Sequence, residues 1–254
     1  MTNFEQNHAM GTHDVDASRA VAFDAGLRAY MIRVYNYMTM GVALTGIVAW
    51  LTFQAAVVTD ANGAIVGRTS FGEAIFGGPI VLVLVLGTLG LVMFISFRIQ
   101  YLQPATALAL FMTYAAMLGL MLSSVLLVYT GASVARVFFI SAASFAALSL
   151  FGYTTQRSLS AIGSFLIMGL FGLLIALIVN IFLRSMRLDF VISVAGVLIF
   201  AGMTAWDTQR IKEMYDPMED GTATGRKAVM AALKLYLNFI NLFIFMLRIF
   251  GNRR

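Results

Sequence analysis

Long apolar runs dominate this chain and constrain its fold more than any other feature. No Asp or Glu occurs between Glu73 and Asp189, and most of that stretch consists of apolar runs of about twenty residues. A helix needs ~20 such residues to cross a hydrocarbon core of ~30 Å. Because lipid offers the backbone no hydrogen-bond partners, a span is either a helix or a strand of a closed barrel. The runs lack the polar alternation of barrel strands and therefore predict an all-α integral membrane protein.

The composition agrees with this class and excludes several others. Hydrophobic residues make up 60% of the chain and charged residues 11%, which is too little polar surface for a soluble domain. Cysteine is absent and the only histidines are His8 and His13, so disulfides and a structural zinc site are excluded. No nucleophile with a base, phosphate-binding loop or metal-ligand cluster occurs, so we expect neither an enzyme nor a bound cofactor. The basic residues are scattered singly along loops, which indicates membrane topology rather than nucleic-acid binding.

The chain divides into a tail and a membrane domain with seven predicted helices. Residues 1–25 are polar and have no sustained apolar period, which is typical of a disordered tail, and residues 26–254 form the membrane domain. Long polar loops are expected at residues 59–78 and 212–228. The first span ends near residue 58, and the other six are predicted at residues 79–97, 104–129, 133–153, 161–183, 191–215 and 229–250.

The last span differs from the others because it carries several polar side chains. Four of them recur at offsets of four, seven and fourteen residues, which places them on one helix face: Lys234, Asn238, Asn241 and Arg248. Such a face cannot look into lipid. We therefore expect the other six helices to form a bundle around a central C-terminal helix, with a re-entrant helix as the alternative.

The distribution of Lys and Arg predicts the orientation in the membrane. Cytoplasmic loops carry an excess of these residues. The opposite side has fewer of them in its loops, although the C-terminal residues Arg248, Arg253 and Arg254 count against the assignment. We expect the N-terminus in the cytoplasm, since its side collects Arg19, Arg28, Arg33, Arg98, Arg157, Arg210, Lys212, Arg226 and Lys227.

Asp207 is the most conspicuous charge near the apolar region. Counted from Asp189, it lies roughly 27 Å along a helix, just inside one face of the bilayer. An ionisable group at membrane depth is costly and is therefore a functional-site hypothesis by default. Two interpretations remain open: an interfacial acid paired with Arg210 one turn later, or a cation or proton site.

Four segments of the chain carry a resemblance to a known family. They are FGYTTQRSLS (Phe151–Ser160), VNIFL (Val179–Leu183), GVLIFAGMTAWDTQRIK (Gly196–Lys212) and LYLNFINLF (Leu235–Phe243). Together they resemble the bacterial branch of the Bax inhibitor-1 family, over the whole chain beyond the tail. The resemblance implies seven helices with a central last helix and, for some members, a pH-sensitive calcium leak. Other bacterial relatives are known as modulators of a membrane-bound protease, so the family alone does not decide the activity.

The resemblance also implies roles for individual residues. In the calcium-leak members, an acid that ends the sixth span shares a proton with an acid within the last span. The first acid corresponds to Asp207, but the second position is Asn238, and an amide cannot titrate. An arginine that closes the second span is implied to latch the closed state onto the acid, and Arg98 occupies that place. The acid that some relatives carry inside the second span is missing from residues 79–97.

Other residues near these positions have more than one interpretation. Lys234 lies one turn before Asn238 and could form a buried salt bridge with Asp207, in competition with any cation, or extend to the interface. Asparagines in spans are more often interhelical hydrogen-bond partners than ion ligands, which applies to Asn180, Asn238 and Asn241. Three glycines of the fifth span predict a smooth stripe for close helix packing: Gly163, Gly169 and Gly172.

These observations lead to one functional prediction and one alternative. We expect a bacterial inner-membrane protein that permits a slow, pH-influenced cation leak, with Asp207 as the ion or proton site, Arg98 as latch and calcium as the transported ion. The alternative is a non-conducting regulator that contacts the lipid bilayer and binds another membrane protein, such as a membrane-bound protease. Conduction requires Asp207, whereas partner binding requires exposed segments and survives the loss of this acid.

Overall fold

The computed structural model describes residues 23–60 and 65–254 in full and, of residues 2–22, only the backbone. The backbone from Thr2 onward belongs to the first helix, whereas the sequence predicts a disordered tail over residues 1–25. The division of the chain into a tail and a membrane domain stays a prediction. Seven helices in the described part are long and apolar enough to cross a membrane, which confirms the predicted all-α membrane class. The helices are α1 (Thr2–Ala56), α2 (Ser70–Gly77), α3 (Pro79–Arg98), α4 (Pro104–Leu122), α5 (Val125–Val128), α6 (Gly131–Thr154), α7 (Ser160–Leu183), α8 (Met186–Glu213) and α9 (Gly221–Phe250).

The last helix, α9, is the centre of the bundle, as predicted. In its most apolar stretch 72% of the residues are buried, against 11% for α3 and for α7. It packs directly against α1, α4, α6 and α8. The two remaining spans lie one layer farther out, since α3 packs mainly on α4 and α7 on α8. Four of the six surrounding helices therefore form the shell that encloses α9.

The segment predicted as a loop at residues 59–78 has more structure than expected. Strands β1 (Val57–Thr59) and β2 (Ile65–Arg68) form an antiparallel hairpin, which the short helix α2 follows. Both strands are short and rich in β-branched residues, which favour strands but cannot span a bilayer. The Thr69 hydroxyl accepts a hydrogen bond from the Gly72 amide at 3.1 Å and thereby caps α2. The hairpin and α2 lie on the side of the membrane opposite the N-terminus.

The third span, predicted as one helix over residues 104–129, is interrupted near its end. It consists of α4 and the single turn α5, separated by Ser123 and Ser124. The two hydroxyls donate hydrogen bonds to the carbonyl oxygens of Leu120 and Met121, at 2.5 and 2.8 Å. Serine side chains that bond to nearby backbone carbonyls compete with the helical hydrogen-bond ladder, which accounts for the break.

The predicted loop at residues 212–228 is much shorter in the structure. Helix α8 continues to Glu213, and α9 already begins at Gly221. Asp220 caps α9, because its carboxylate accepts a hydrogen bond from the Ala223 amide at 2.5 Å. The prediction was wrong here because helices extend beyond the apolar part of the membrane into water, where hydropathy no longer marks their ends.

Only part of the predicted glycine stripe on α7 serves helix packing. A Cβ atom on Gly163 would lie 2.1 Å from the Trp206 ring, and one on Gly169 would lie 3.3 Å from Ile199. Gly172 is exposed and has nothing within 4 Å of its Cβ position, so the prediction was wrong for this residue. The first two glycines let α7 lie close to α8, the helix that carries Asp207.

Candidate functional site

Asp207 and Asn238 meet inside the bundle. Asp207 lies on α8, six residues before its end, and is 6% exposed, while Asn238 lies on α9 and is 4% exposed. The Asn238 amide nitrogen donates a hydrogen bond to Oδ2 of Asp207 at 2.7 Å. The two positions that the resemblance implied to be paired therefore face each other, with one carboxylate and one amide.

The cations expected to neutralise Asp207 form no ion pair with it. Among the described residues, Lys234 makes neither a hydrogen bond nor a salt bridge, although its charge acts on Asp207 through space together with that of Arg210. Lys234 is half-buried. Arg210 is exposed and its guanidinium lies 5.6 Å from the centre of the Trp206 ring. Pairing with Arg210 and pairing with Lys234 were each one of two interpretations, and neither ion pair is present among the described residues. Arg210 instead points outward from the bundle and stacks on an aromatic ring.

Arg98 does not contact Asp207 either. It ends α3, is exposed, and places its guanidinium 5.4 Å from the centre of the Tyr101 ring. Helix α3 packs mainly on α4, and Arg98 forms no salt bridge with any described residue. The latch implied by the resemblance is not formed in this structure, and the role of Arg98 stays a prediction.

A chain of hydroxyl groups beside Asp207 was not predicted. The Tyr35 hydroxyl on α1 bonds to Ser149 on α6 at 2.5 Å, and Ser149 bonds to Thr208 on α8 at 3.0 Å. Thr208 also donates to the Thr204 carbonyl at 2.8 Å. Serine and threonine are common in membrane helices, so nothing in the sequence marks Ser149 and Thr208 as hydrogen-bond partners. The chain ties α1, α6 and α8 together at the level of Asp207.

Gln209 closes the bundle on the N-terminal side. It is 7% exposed, and its amide oxygen accepts a hydrogen bond from the Leu159 amide at 2.8 Å. Its amide nitrogen donates to the Arg157 carbonyl at 2.9 Å. Nearby, Lys212 donates to the Tyr153 carbonyl at 3.0 Å. These bonds hold the connector between α6 and α7 against the end of α8, so two of the segments that carried the resemblance contact each other.

Close backbone approach positions α8 between its neighbours. A Cβ atom on Gly152 of α6 would lie 2.1 Å from the Ala205 carbonyl oxygen, and one on Gly196 of α8 would lie 2.6 Å from the Phe245 ring of α9. Glycine is needed at both places because any side chain would force the helices apart. The two contacts hold α8 against α6 and α9 at positions that both precede Asp207 along the helix.

The remaining polar residues of the spans do not join this site. Arg248 is at the surface and forms a salt bridge with Asp189 at 3.4 Å, so its predicted place in the interior was wrong. The Asn241 amide donates to the Leu237 carbonyl of its own helix. The side-chain oxygen of Asn180 accepts a hydrogen bond from the Ser185 amide, in the turn before α8. Of the three asparagines, Asn238 is the one that links two helices.

The C-terminal arginines are tied to the protein. Arg254 donates its backbone amide to the Val128 carbonyl at 2.9 Å, and its guanidinium lies 5.7 Å from the centre of the Phe53 ring. Arg253 forms an isolated antiparallel bridge with Tyr129. Because these residues clasp the end of the third span, their presence on this side has a structural reason apart from membrane orientation.

The donor set at Asp207 is small. The described residues contain no group of three or more His, Cys, Asp or Glu residues that could hold a metal ion. Calcium takes about 6–8 oxygen ligands, and here Asp207 and the amide oxygen of Asn238 offer a few at most. These two side chains alone therefore supply too few ligands to hold a resident calcium ion.

Comparison with known proteins gives consistent matches over nearly the whole chain. The model of a family described as inhibitor of apoptosis-promoting Bax1 matches residues 27–254. An uncharacterised protein of Caulobacter vibrioides is 42% identical over the full length of both chains. One from Rickettsia prowazekii is 43% identical over 93% of this chain and 95% of its own. The inner membrane protein YbhL of Escherichia coli is 43% identical over 91% of this chain and 94% of its own.

Proposed function

This chain belongs to the Bax inhibitor-1 family, and from that premise we propose that it mediates a slow, pH-influenced cation leak through its helical bundle. In this proposal calcium is the transported ion, and Asp207 is the residue to which the ion or a proton binds. No catalytic step and no cofactor is part of it. The observation that carries the proposal is the buried contact between Asp207 and Asn238.

The energetic cost of Asp207 supports a functional role. A carboxylate in a low-dielectric interior is expensive unless it is paired with a cation or fully hydrogen-bonded. Asp207 has one amide donor and no salt bridge to any described residue. A proton or a cation bound to the Asp207 carboxylate would lower this energetic cost. The site therefore favours binding of either one.

The charges around Asp207 account for a leak that is slow. Lys234 and Arg210 lie toward the N-terminal side of the pair, since Arg210 follows Asp207 on α8 and Lys234 precedes Asn238 on the antiparallel α9. A cation that reaches Asp207 from that side meets the repulsion of Lys234 and, from the outer face of α8, the weaker repulsion of Arg210. Gln209 and the α6–α7 connector that it binds also obstruct access to Asp207 at the same end of the bundle.

The location follows from the relatives. YbhL is described as an inner membrane protein, and this chain has seven candidate spans in its described part. We propose that it lies in the bacterial inner membrane, and the distribution of Lys and Arg in the sequence supports an N-terminus in the cytoplasm.

Calcium flux into liposomes tests the proposal. The purified full chain, reconstituted at matched protein density, should admit calcium at a rate that depends on pH, and Asp207→Asn should abolish most of that flux. Asp189→Asn is the matched control, because it makes the same chemical change on the same helix at an exposed salt bridge. Equal flux in the native protein and in Asp207→Asn would contradict the proposal.

A regulator that binds another membrane protein, such as a membrane-bound protease, is the second candidate. The outer helices favour it, since α3 and α7 expose most of their apolar side chains and could pack against the spans of a partner. Such binding should survive Asp207→Asn, so a phenotype that persists in this variant while flux is lost favours the regulator.

A further inference from the structure

A long groove runs between α1 and α6, which make little contact with each other apart from the hydrogen bond between Tyr35 and Ser149. It consists of two adjoining cavities of about 590 and 490 Å³ that share Val42, Phe138 and Phe239. The central helix α9 supplies its floor at Phe239. Cavities of ~300–1,000 Å³ are the size range of small-molecule sites. Ile32 and Leu150, which line the first cavity, are exposed side chains of the spans α1 and α6.

The first cavity has the length of one membrane leaflet. It is lined by α1 from Arg28 to Val42, a rise of roughly 21 Å along a helix. A bilayer measures ~40–45 Å including its headgroups, so the cavity runs from the interface on the N-terminal side to about the midplane. The shared residues Phe138 and Phe239 mark its inner end.

The chemistry of the cavity changes along this length. Its deeper walls are apolar, with Met38, Phe138 and Phe145 among them. At the interfacial end, Arg28 is exposed and makes no hydrogen bond or ion pair with any residue whose side chain the structure describes. An exposed cation above an apolar channel of one-leaflet length is complementary to an anionic headgroup above an acyl chain.

We propose that the groove binds one anionic phospholipid of the leaflet on the N-terminal side, with its phosphate at Arg28. One acyl chain lies between α1 and α6 and ends near Phe138 and Phe239. Apolar walls within a bilayer are covered by hydrocarbon, and the exposed guanidinium of Arg28 selects the headgroup by charge. The bound lipid fills the space that α1 and α6 leave, so it is part of the packing of α9.

Lipid titration followed by native mass spectrometry tests this proposal. The purified, delipidated full chain should retain one phosphatidylglycerol in preference to phosphatidylcholine. Arg28→Gln should weaken phosphatidylglycerol binding about fivefold, as expected for one basic residue at a lipid surface. Arg33→Gln is the matched control, because Arg33 is exposed on the same helix and does not line the cavity.

A second pair of variants tests the acyl-chain part of the groove. Ala146 lines the cavity, so Ala146→Phe should fill it and reduce the binding of both lipids. Ala147→Phe is its control, since Ala147 is exposed on the same helix outside the cavity. The proposal would be overturned if the native chain bound the two lipids equally. It would also be overturned if Arg28→Gln and Arg33→Gln lost the same amount of binding, or if the chain formed a dimer without bound lipid.

Discussion

Asn238, on the central helix α9, donates its side-chain amide hydrogen to Asp207 of α8 at 2.7 Å, and both side chains are buried. The pair joins the two helices at a place where the family resemblance implied two acids. With an amide at one position, a single carboxylate holds the site. A single substitution at Asn238 should therefore change how the proposed cation flux responds to pH.

Asn238→Asp should move the pH response of the flux toward neutrality. Two carboxylates within hydrogen-bond distance cannot both ionise easily, so the pair retains one shared proton to a higher pH than a single acid does. Flux–pH curves in liposomes at matched protein density measure the shift. Asn241→Asp is the control, because Asn241 bonds to its own helix, and its curve should stay with that of the native protein.

Lys234→Met should raise the cation flux severalfold. The charge of Lys234 acts on Asp207 without a direct salt bridge, so its removal lowers repulsion toward an entering cation. Lys234→Arg keeps the charge and should keep the flux low. An unchanged rate in Lys234→Met would mean that this side chain extends to the interface and takes no part in the leak.

Arg98→Ala tests the latch. If Arg98 leaves the Tyr101 ring and pairs with Asp207 in a closed state, the alanine variant should have a higher basal flux. Tyr101→Leu should then lower the flux, since it frees Arg98 from its present contact. Native rates in both variants would remove the latch from the mechanism.

Gln209→Ala should destabilise the protein. The Leu159 amide would lose its acceptor in a buried place, which costs ~1–3 kcal/mol, and the connector between α6 and α7 would loosen. Thermal unfolding in detergent measures the change. Gln156→Ala is the matched control in the same connector, where Gln156 is exposed, and it should unfold like the native protein.

Single cysteines test the orientation, since the natural chain contains none. Met218→Cys, in the loop between α8 and α9, should be shielded from an impermeant external reagent in intact cells. Val66→Cys, in the hairpin on the opposite side, should be labelled readily. The reverse pattern would place the N-terminus outside.

The number of spans and the burial of the last helix could be predicted from the sequence. The length of an apolar run indicates whether a helix can cross the membrane. Polar residues on one face of a helix indicate that this face does not contact lipid. The same pattern could not predict the ends of α8 and α9, because capping by Asp220 acts beyond the apolar stretch. Nor could it predict the break at Ser123 and Ser124, since hydroxyls within an apolar run leave its hydropathy almost unchanged.

By itself, then, the sequence determined the seven helices, the central α9 and the presence of an acid at membrane depth. Only the tertiary structure decided what that acid contacts. The rotation of each helix about its axis depends on side-chain packing between helices, such as that of Gly152 against Ala205, and hydropathy carries no record of it. Long side chains such as Lys234 and Arg98 can also reach aromatic rings, carbonyl oxygens or solvent. Their charge alone therefore could not predict their partners.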